Sequence, residues 1–458
     1  MNSEINLTTT RTVTSSATAN PDGLSSHRKP TNPSGVPLSQ ISPKLFPLSF
    51  SESFKDYMKK GKLLDVQDEL LSSLPFYPEP SKTHSAKVIK FESSNSLVFP
   101  DINEFHVKTI REKTSSSPSN EKHLVIMHGY GAGLGFFIKN IESLAQRHPD
   151  WHIHAIDLPG YGCSTRVDFP SNIPTENHET VEKLFTIPLR DWFVARGLDE
   201  KNTITVAHSM GGYFSLLLQM YEVNGNGYIN ENEFNFLKKR MDFFNKKKAN
   251  LQNERFERQR DLLSSTSENP RRFWDTLVLV SPGGIFDHRT DDIAAKIPNW
   301  FTHLWNRNIS PFSLVRNTGP LGSLFVSGWT SRRFAIDNLI DEKLRTSLHR
   351  YAYGIFNAKG SGEYMLNYIL APGAVPRHPL LHRLEQIKHY AGNTVWLYGS
   401  HDWMDEKAGY LASKKLRDIS PFRSEYGIVP DAGHHIYLDA FEKFNDIISK
   451  QMDGMDRK

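Results

Sequence analysis

From about residue 86 onward, short apolar runs alternate with longer stretches in which apolar residues recur every three or four positions. Ala86–Phe91 and Glu104–Arg111 alternate apolar and polar side chains and predict the opening strands. His123–Met127, Trp151–Ile156, Thr203–Val206, Thr276–Ser281, Thr394–Tyr398 and Glu425–Val429 are compact apolar runs, most of them closed by glycine or proline, and predict buried strands. Residues 179–198 and the segments after Ser209 and His435 carry helical spacing. Strands alternating with helices imply a mostly parallel sheet covered on both faces.

Two stretches break the rhythm. From about residue 221 to 272 the chain is dense in Lys, Arg, Asn and Glu, which predicts a charged helical insertion. From 285 to 387 no strand alternation appears, and Trp300, Phe301, Leu304 and Trp305 recur at helical spacing, as in a helical cap whose aromatic residues either line an apolar pocket or pack on the sheet. Ser51–Leu74, with Phe54, Tyr57, Met58, Leu63, Leu64, Leu70 and Leu71, predicts an amphipathic helix packed on the main domain or lying on a membrane. Residues 1–43 are rich in Ser, Thr, Asn and Pro and are expected to be disordered, a targeting segment being the alternative. The expected organisation is therefore 44–84 as a helical extension, 85–284 and 388–458 as two parts of one core, and 285–387 as the cap.

Composition narrows this only slightly. A chain of 458 residues with 38% hydrophobic side chains can bury a large core. A net charge of +4 suits an anionic surface but is too weak to argue nucleic acid, for which no motif is present. The single cysteine, Cys163, excludes an internal disulfide and any multi-cysteine metal site. No run is long and apolar enough to span a bilayer, so membrane contact would be peripheral.

Chemistry concentrates where strands end. Ala207-His-Ser209-Met210-Gly211 sits between a strand and a helix, the setting of a G-x-S-x-G corner that pushes a serine hydroxyl out over the sheet edge, with Ala207 one methyl larger than the usual glycine. His128-Gly129-Tyr130-Gly131 ends an earlier strand, where flexible backbone aims an N–H at a developing oxyanion; Tyr130 and Met210 are the candidate donors. Downstream, Asp402 follows a strand end and is favoured over Asp405 as the acid, while His434 after Gly433 is favoured over His435 as the base. The order Ser, Asp, His at three strand-to-helix junctions points to an α/β-hydrolase fold, with no cofactor required. Inside the insertion, Glu222, Asn224, Asn226, Gly227 and Glu233 follow a calcium-loop template with Glu in place of the first Asp; an Asn-Gly turn between solvated helices is the plainer reading.

The motifs His128-Gly-Tyr-Gly-Ala-Gly-Leu-Gly135, His208-Ser-Met-Gly-Gly-Tyr213, Trp305-Asn-Arg-Asn-Ile-Ser-Pro-Phe312, Arg316-Asn-Thr-Gly-Pro-Leu-Gly322, Gly360-Ser-Gly-Glu363 and His434-x₄-Asp439 resemble the lipid-acting α/β hydrolases over roughly residues 85–455. That group includes the lipid-droplet lipase coactivator, N-acyl-phosphatidylethanolamine lipase and the fungal mitochondrial cardiolipin-specific deacylases. The resemblance implies a phospholipid or lysophospholipid substrate, acyl hydrolysis or acyl transfer at a mitochondrial membrane surface, and Ser209, Asp402 and His434 at the triad positions. It associates the H-x₄-D element with acyltransferase activity. Cytoplasm or the lipid droplet is the alternative location, and a non-catalytic lipid-binding coactivator is the alternative function. In the cap, Arg316, Arg332, Arg333, Arg377 and Arg383 are candidates to clamp a headgroup phosphate, or to form ordinary salt bridges.

Overall fold

The computed structural model describes residues 48–59, 61–110, 121–169, 173–240, 246–264, 270–287, 302, 303, 305, 307, 309–334, 342–372 and 375–457. Residues 1–43, Trp300, Phe301, Leu304 and the side chains of Arg332 and Arg333 lie outside that description.

Two short helices stand where one was expected: α1 (Phe50–Met58) and α2 (Leu63–Leu71). Ser49 and Glu52 form a capping box that starts α1. Gly61 and the extended backbone of Lys62 separate it from α2, because glycine gives up helical order readily. α2 buries Leu70 and Leu71, whereas Phe50, Phe54 and Met58 of α1 remain exposed.

Strands β1 (His84–Glu92) and β2 (Asp101–Thr109) form an antiparallel pair. There follow β3 (Lys122–Met127), α3 (Ile138–Arg147), β4 (Trp151–Ile156), α4 (His178–Ala195), β5 (Thr203–His208) and α5 (Met210–Val223). After the insertion come β6 (Thr276–Val280), β7 (Asn393–Gly399), α11 (Glu406–Ile419), β8 (Ser424–Val429) and α12 (Phe441–Asp456). The eight strands lie in the order β1-β2-β4-β3-β5-β6-β7-β8, with β2 antiparallel to β4 and every pair beyond it parallel. Parallel strands need helical crossovers that cover both faces, and two apolar clusters do so. One joins Phe185, Trp192, Phe214 and Trp396; the other joins Phe137, Trp151, Tyr351 and Tyr437.

Among the described residues the cap contributes α8 (Pro311–Asn317), α9 (Gly322–Phe334), α10 (Glu342–Asn357) and a two-residue ribbon, Leu370–Ala371 against Val375–Pro376. Arg316 holds Glu363 through two hydrogen bonds of 2.6 and 3.2 Å, so two separate cap segments are tied by one fork-to-carboxylate contact.

The insertion is built from α6 (Glu231–Arg240) and α7 (Lys246–Ser264). Phe234 and Phe256 stack at 4.0 Å between them. Arg255, Arg258 and Gln259 donate to the carbonyls of Ser96, Ser94 and Asn95, which fastens α7 to the β1–β2 connection. The calcium-like loop is closed by side-chain cations. Arg190 Nε donates to Glu222 at 2.7 Å, and Lys183 Nζ donates to both oxygens of Glu233 at 2.9 and 3.0 Å. The two carboxylates a calcium ion would need are thus neutralised by residues of α4.

Glu233→Gln is expected to destabilise the fold by roughly 3 kcal/mol, because the nearly buried Lys183 loses its countercharge. Calorimetry of the unsubstituted chain is expected to give at best ~10⁻⁴–10⁻³ M calcium affinity; micromolar affinity lost in Glu233→Gln would overturn this account of the loop.

Candidate active site

β5 ends at His208, and the chain turns so sharply that Ser209 takes φ 51° and ψ −113° before α5 begins. A non-glycine residue at such φ costs about 1–3 kcal/mol and persists only where its surroundings impose it. Here Ser209 N–H donates to the Val280 carbonyl at 2.8 Å and Gly283 N–H donates to the Ser209 carbonyl at 2.8 Å. The corner also needs room. A Cβ at Gly129 would stand 2.8 Å from Ser209 Cβ, and one at Gly211 would stand 2.7 Å from the His128 carbonyl. Ala207 is wholly buried, and its extra methyl is accommodated in the sheet.

Ser209 Oγ lies 3.1 Å from His434 Nε2, and His434 Nδ1 lies 3.1 Å from Asp402 Oδ1. Asp402 also accepts from Met404 N–H at 3.0 Å and from the Ser281 hydroxyl. Burial pushes the Asp402 carboxyl up, but its contacts with His434, Ser281 and Met404 outweigh that and hold it below its usual value. An anionic Asp402 fixes the His434 tautomer with Nδ1 protonated and Nε2 free to take a proton from the serine. His208 Nε2 donates to the His434 carbonyl at 3.0 Å, and burial, reinforced by His434, pushes its own pKa well down.

The competing residues are used otherwise. Asp405 accepts from Ala408 N–H at 3.0 Å and caps α11. The His435 ring packs against Trp329, His208 and Tyr437. Asp439 does not cap the helix after it; its Oδ2 accepts from Gly433 N–H at 2.9 Å and so braces the turn that carries His434. His128 does not face Ser209. Its Nε2 accepts from Leu158 N–H at 2.9 Å and its Nδ1 donates to the Gly129 carbonyl at 2.7 Å, so burial keeps the ring neutral and its 3.6 Å approach to Asp157 is no ion pair. It shapes the loop that carries Tyr130, whose ring stacks on Phe312 of the cap at 5.5 Å. Gly131, at φ 66°, faces that same phenyl ring, which leaves no room for a side chain.

Ser281 was not singled out in the sequence. It stands at the end of β6 with φ 47°, and the only sequence signal is its place before Pro282-Gly283-Gly284.

A cavity of about 430 Å³ opens on Ser209 and His434. Ile285, Phe286, Trp305, Ile369, Leu370 and Met404 give it an apolar wall. Trp305 therefore faces the cavity, as one of the two expectations had it. Of the cap arginines, Arg316 and Arg383 are engaged by Glu363 and Glu182. Arg377, next to the cavity residue Pro376, donates to the Asn367 carbonyl at 2.9 Å and pairs with no carboxylate among the described residues. Chemically the arrangement can deprotonate a serine hydroxyl beside a mainly apolar cavity.

The family profile described as alpha/beta hydrolase fold matches residues 122–222, the stretch from β3 through the serine corner to α5. The chain is an α/β hydrolase by fold and by this match. It is 28% identical over 340 residues to a probable 1-acylglycerol-3-phosphate O-acyltransferase of Oryza sativa subsp. japonica, covering 72% of this chain and 67% of that one. It is 29% identical over 320 residues to the 1-acylglycerol-3-phosphate O-acyltransferase of Arabidopsis thaliana, covering 69% and 63%. It is 24% identical over 339 residues to the (Lyso)-N-acylphosphatidylethanolamine lipase of Mus musculus, covering 73% and 80%. These relatives carry acyltransferase and lipase names and act, as named, in lipid chemistry.

A fluorophosphonate probe is expected to label the native chain and not Ser209→Ala. Labelling rate should fall by about 10²-fold or more in His434→Ala and change little in His435→Ala. Asp402→Asn should be slower than Asp405→Asn; the reverse ranking would transfer the acid's role to Asp405.

Proposed function

We propose that this chain is a serine acyl hydrolase that cleaves phospholipid acyl esters through an acyl-Ser209 intermediate, with acyl transfer to lysophosphatidic acid as a secondary activity. The observation that carries the proposal is the aligned Ser209–His434–Asp402 series opening into an apolar cavity. In this mechanism Ser209 Oγ attacks the ester carbonyl while His434 Nε2 takes its proton. The N–H groups of Met210 and Tyr130 receive the oxyanion. Collapse expels the lysophospholipid alcohol, which takes the proton back from His434. Water, or the hydroxyl of a lysophospholipid, then attacks the acyl-serine by the same route, and the choice depends on what the cap admits.

Substrate class rests on two supports. The relatives are named for phospholipid or lysophospholipid chemistry, and Arg377, next in sequence to the cavity residue Pro376 and paired with no carboxylate among the described residues, is the cation proposed to meet an anionic headgroup. Cardiolipin, at a mitochondrial membrane surface, is the headgroup and location proposed. The H-x₄-D pair gives no separate reason to prefer transfer, since Asp439 is engaged in holding the His434 turn.

Ser209→Ala should lower turnover by about 10⁴-fold while leaving the fold intact. With labelled cardiolipin and added lysophosphatidic acid, free fatty acid is expected to appear faster than labelled phosphatidic acid; faster transfer that survives Ser209→Ala would overturn the mechanism. Arg377→Gln should raise KM for anionic phospholipid by about tenfold while sparing a neutral short-chain ester, and an equal loss on both substrates would remove Arg377 from headgroup binding.

A further inference from the structure

At the far end of the sheet from Ser209, four histidines lie side by side on three adjacent strands. His106 of β2 is registered with His154 of β4, and His152 of β4 with His123 of β3. Because side chains alternate along a strand and registered residues share a face, all four point to one side of the sheet. His123 is also registered with Thr203, the first residue of β5, which puts the group roughly 20 Å from the serine corner at about 3.3 Å per strand residue.

The rings are close enough to share a ligand. His106 Nε2 stands 3.1 Å from His152 Nδ1, and His123 Nδ1 stands 3.0 Å from His154 Nε2. His106, His152 and His154 each place one ligand nitrogen within 4.8 Å of the other two. Behind them, Glu104 is wholly buried and accepts from His154 Nδ1 at 2.8 Å, from Trp192 Nε1 at 3.0 Å and from Arg196 Nε at 2.9 Å. A carboxylate holding one imidazole nitrogen so that the other faces inward is how metal-ligating histidines are oriented.

We propose that His106, His152 and His154 bind a divalent transition-metal ion. The 3.1 Å separation of His106 Nε2 and His152 Nδ1 compares with an edge of roughly 3.3 Å for a tetrahedron of 2.0–2.1 Å metal–nitrogen bonds, and the His154 nitrogen lies within 4.8 Å of both. Three imidazole ligands suit zinc, copper or nickel and not calcium or magnesium. The protons remain accounted for: His154 keeps its proton on Nδ1 against Glu104, and His152 keeps its own on Nε2, 3.8 Å from Glu121. Three imidazoles leave the fourth position of a tetrahedral shell to water. The ion ties β2 to β4, the antiparallel pair where the sheet changes direction.

The test uses the full chain, stripped with a chelator and titrated with zinc by calorimetry and with cobalt(II) by visible absorption. One ion per chain is expected, with micromolar or tighter affinity and the strong visible bands of tetrahedral cobalt. His106→Gln and His152→Gln should each weaken binding about tenfold or more. Ser209→Ala and Asp453→Asn should not weaken it, which separates this site from the triad and from the exposed His148–Asp453–Asp456 group. Zinc should raise the Tm of the unsubstituted chain and not that of His152→Gln. No binding at about 100 µM zinc, or the weak spectrum of octahedral cobalt, would overturn the proposal on the unsubstituted chain alone, whatever the variants do. Undiminished affinity in His106→Gln and His152→Gln would overturn it as well.

Discussion

The left-handed backbone of Ser209 is the constraint around which the rest of the molecule is arranged. A side chain at φ 51° is unfavourable unless neighbours make every other conformation worse. Four neighbours do so at once: the Val280 carbonyl and the Gly283 N–H fix the two ends of the serine's peptide groups, and the absence of a Cβ at Gly129 and Gly211 lets adjacent loops close over it. Those neighbours come from β6, the β3 loop and α5. The central strands must therefore be in register before the serine can be presented, which makes the corner a property of the sheet as a whole.

The same dependence extends outward to the partners of the serine. Asp402 and His434 stand after β7 and β8, the last two strands, and reach the serine because parallel strands end at one edge of the sheet. Ser281, at the end of the intervening β6, links β6 to Asp402 through its hydroxyl. Asp439 and His208 hold the His434 backbone from two sides, through the Gly433 N–H and the His434 carbonyl. The cap sits on this edge by packing Phe312 onto Tyr130, so the loop that bears the Tyr130 N–H is also the loop the cap rests on. The loop after β3 and the cap are thus joined by one aromatic contact.

The charged insertion illustrates how a motif is turned to a different use. A loop with calcium-ligand spacing brings Glu222 and Glu233 to α4, where Arg190 and Lys183 supply fixed positive charge in place of a mobile ion. Both ion pairs are partly buried, so desolvation offsets much of their attraction. The cap arginines follow the same logic. Arg316 and Arg383 were credible phosphate ligands as isolated residues, but Glu363 and Glu182 take them, and both carboxylates lie far away in sequence.

The sequence by itself determined the alternation of strands and helices, and it determined which strand ends carry Ser209, Asp402 and His434. Those features are local: an apolar run, a small residue at a corner and a titratable side chain just beyond it are all read within a dozen positions. It also made Asp402 and His434 the better candidates over Asp405 and His435, through their nearness to strand ends. Only the tertiary structure decided how the alternatives are used, with Asp405 as a helix cap and His435 in aromatic packing. It also split the N-terminal helix at Gly61 and showed His128 acting on its own loop and not on the serine. The histidine cluster of β2, β3 and β4 had no signature in the chain, because strand order is set by crossovers that spacing does not encode. His106 and His152 are 46 positions apart and meet because β4 inserts between β2 and β3, which no local pattern records.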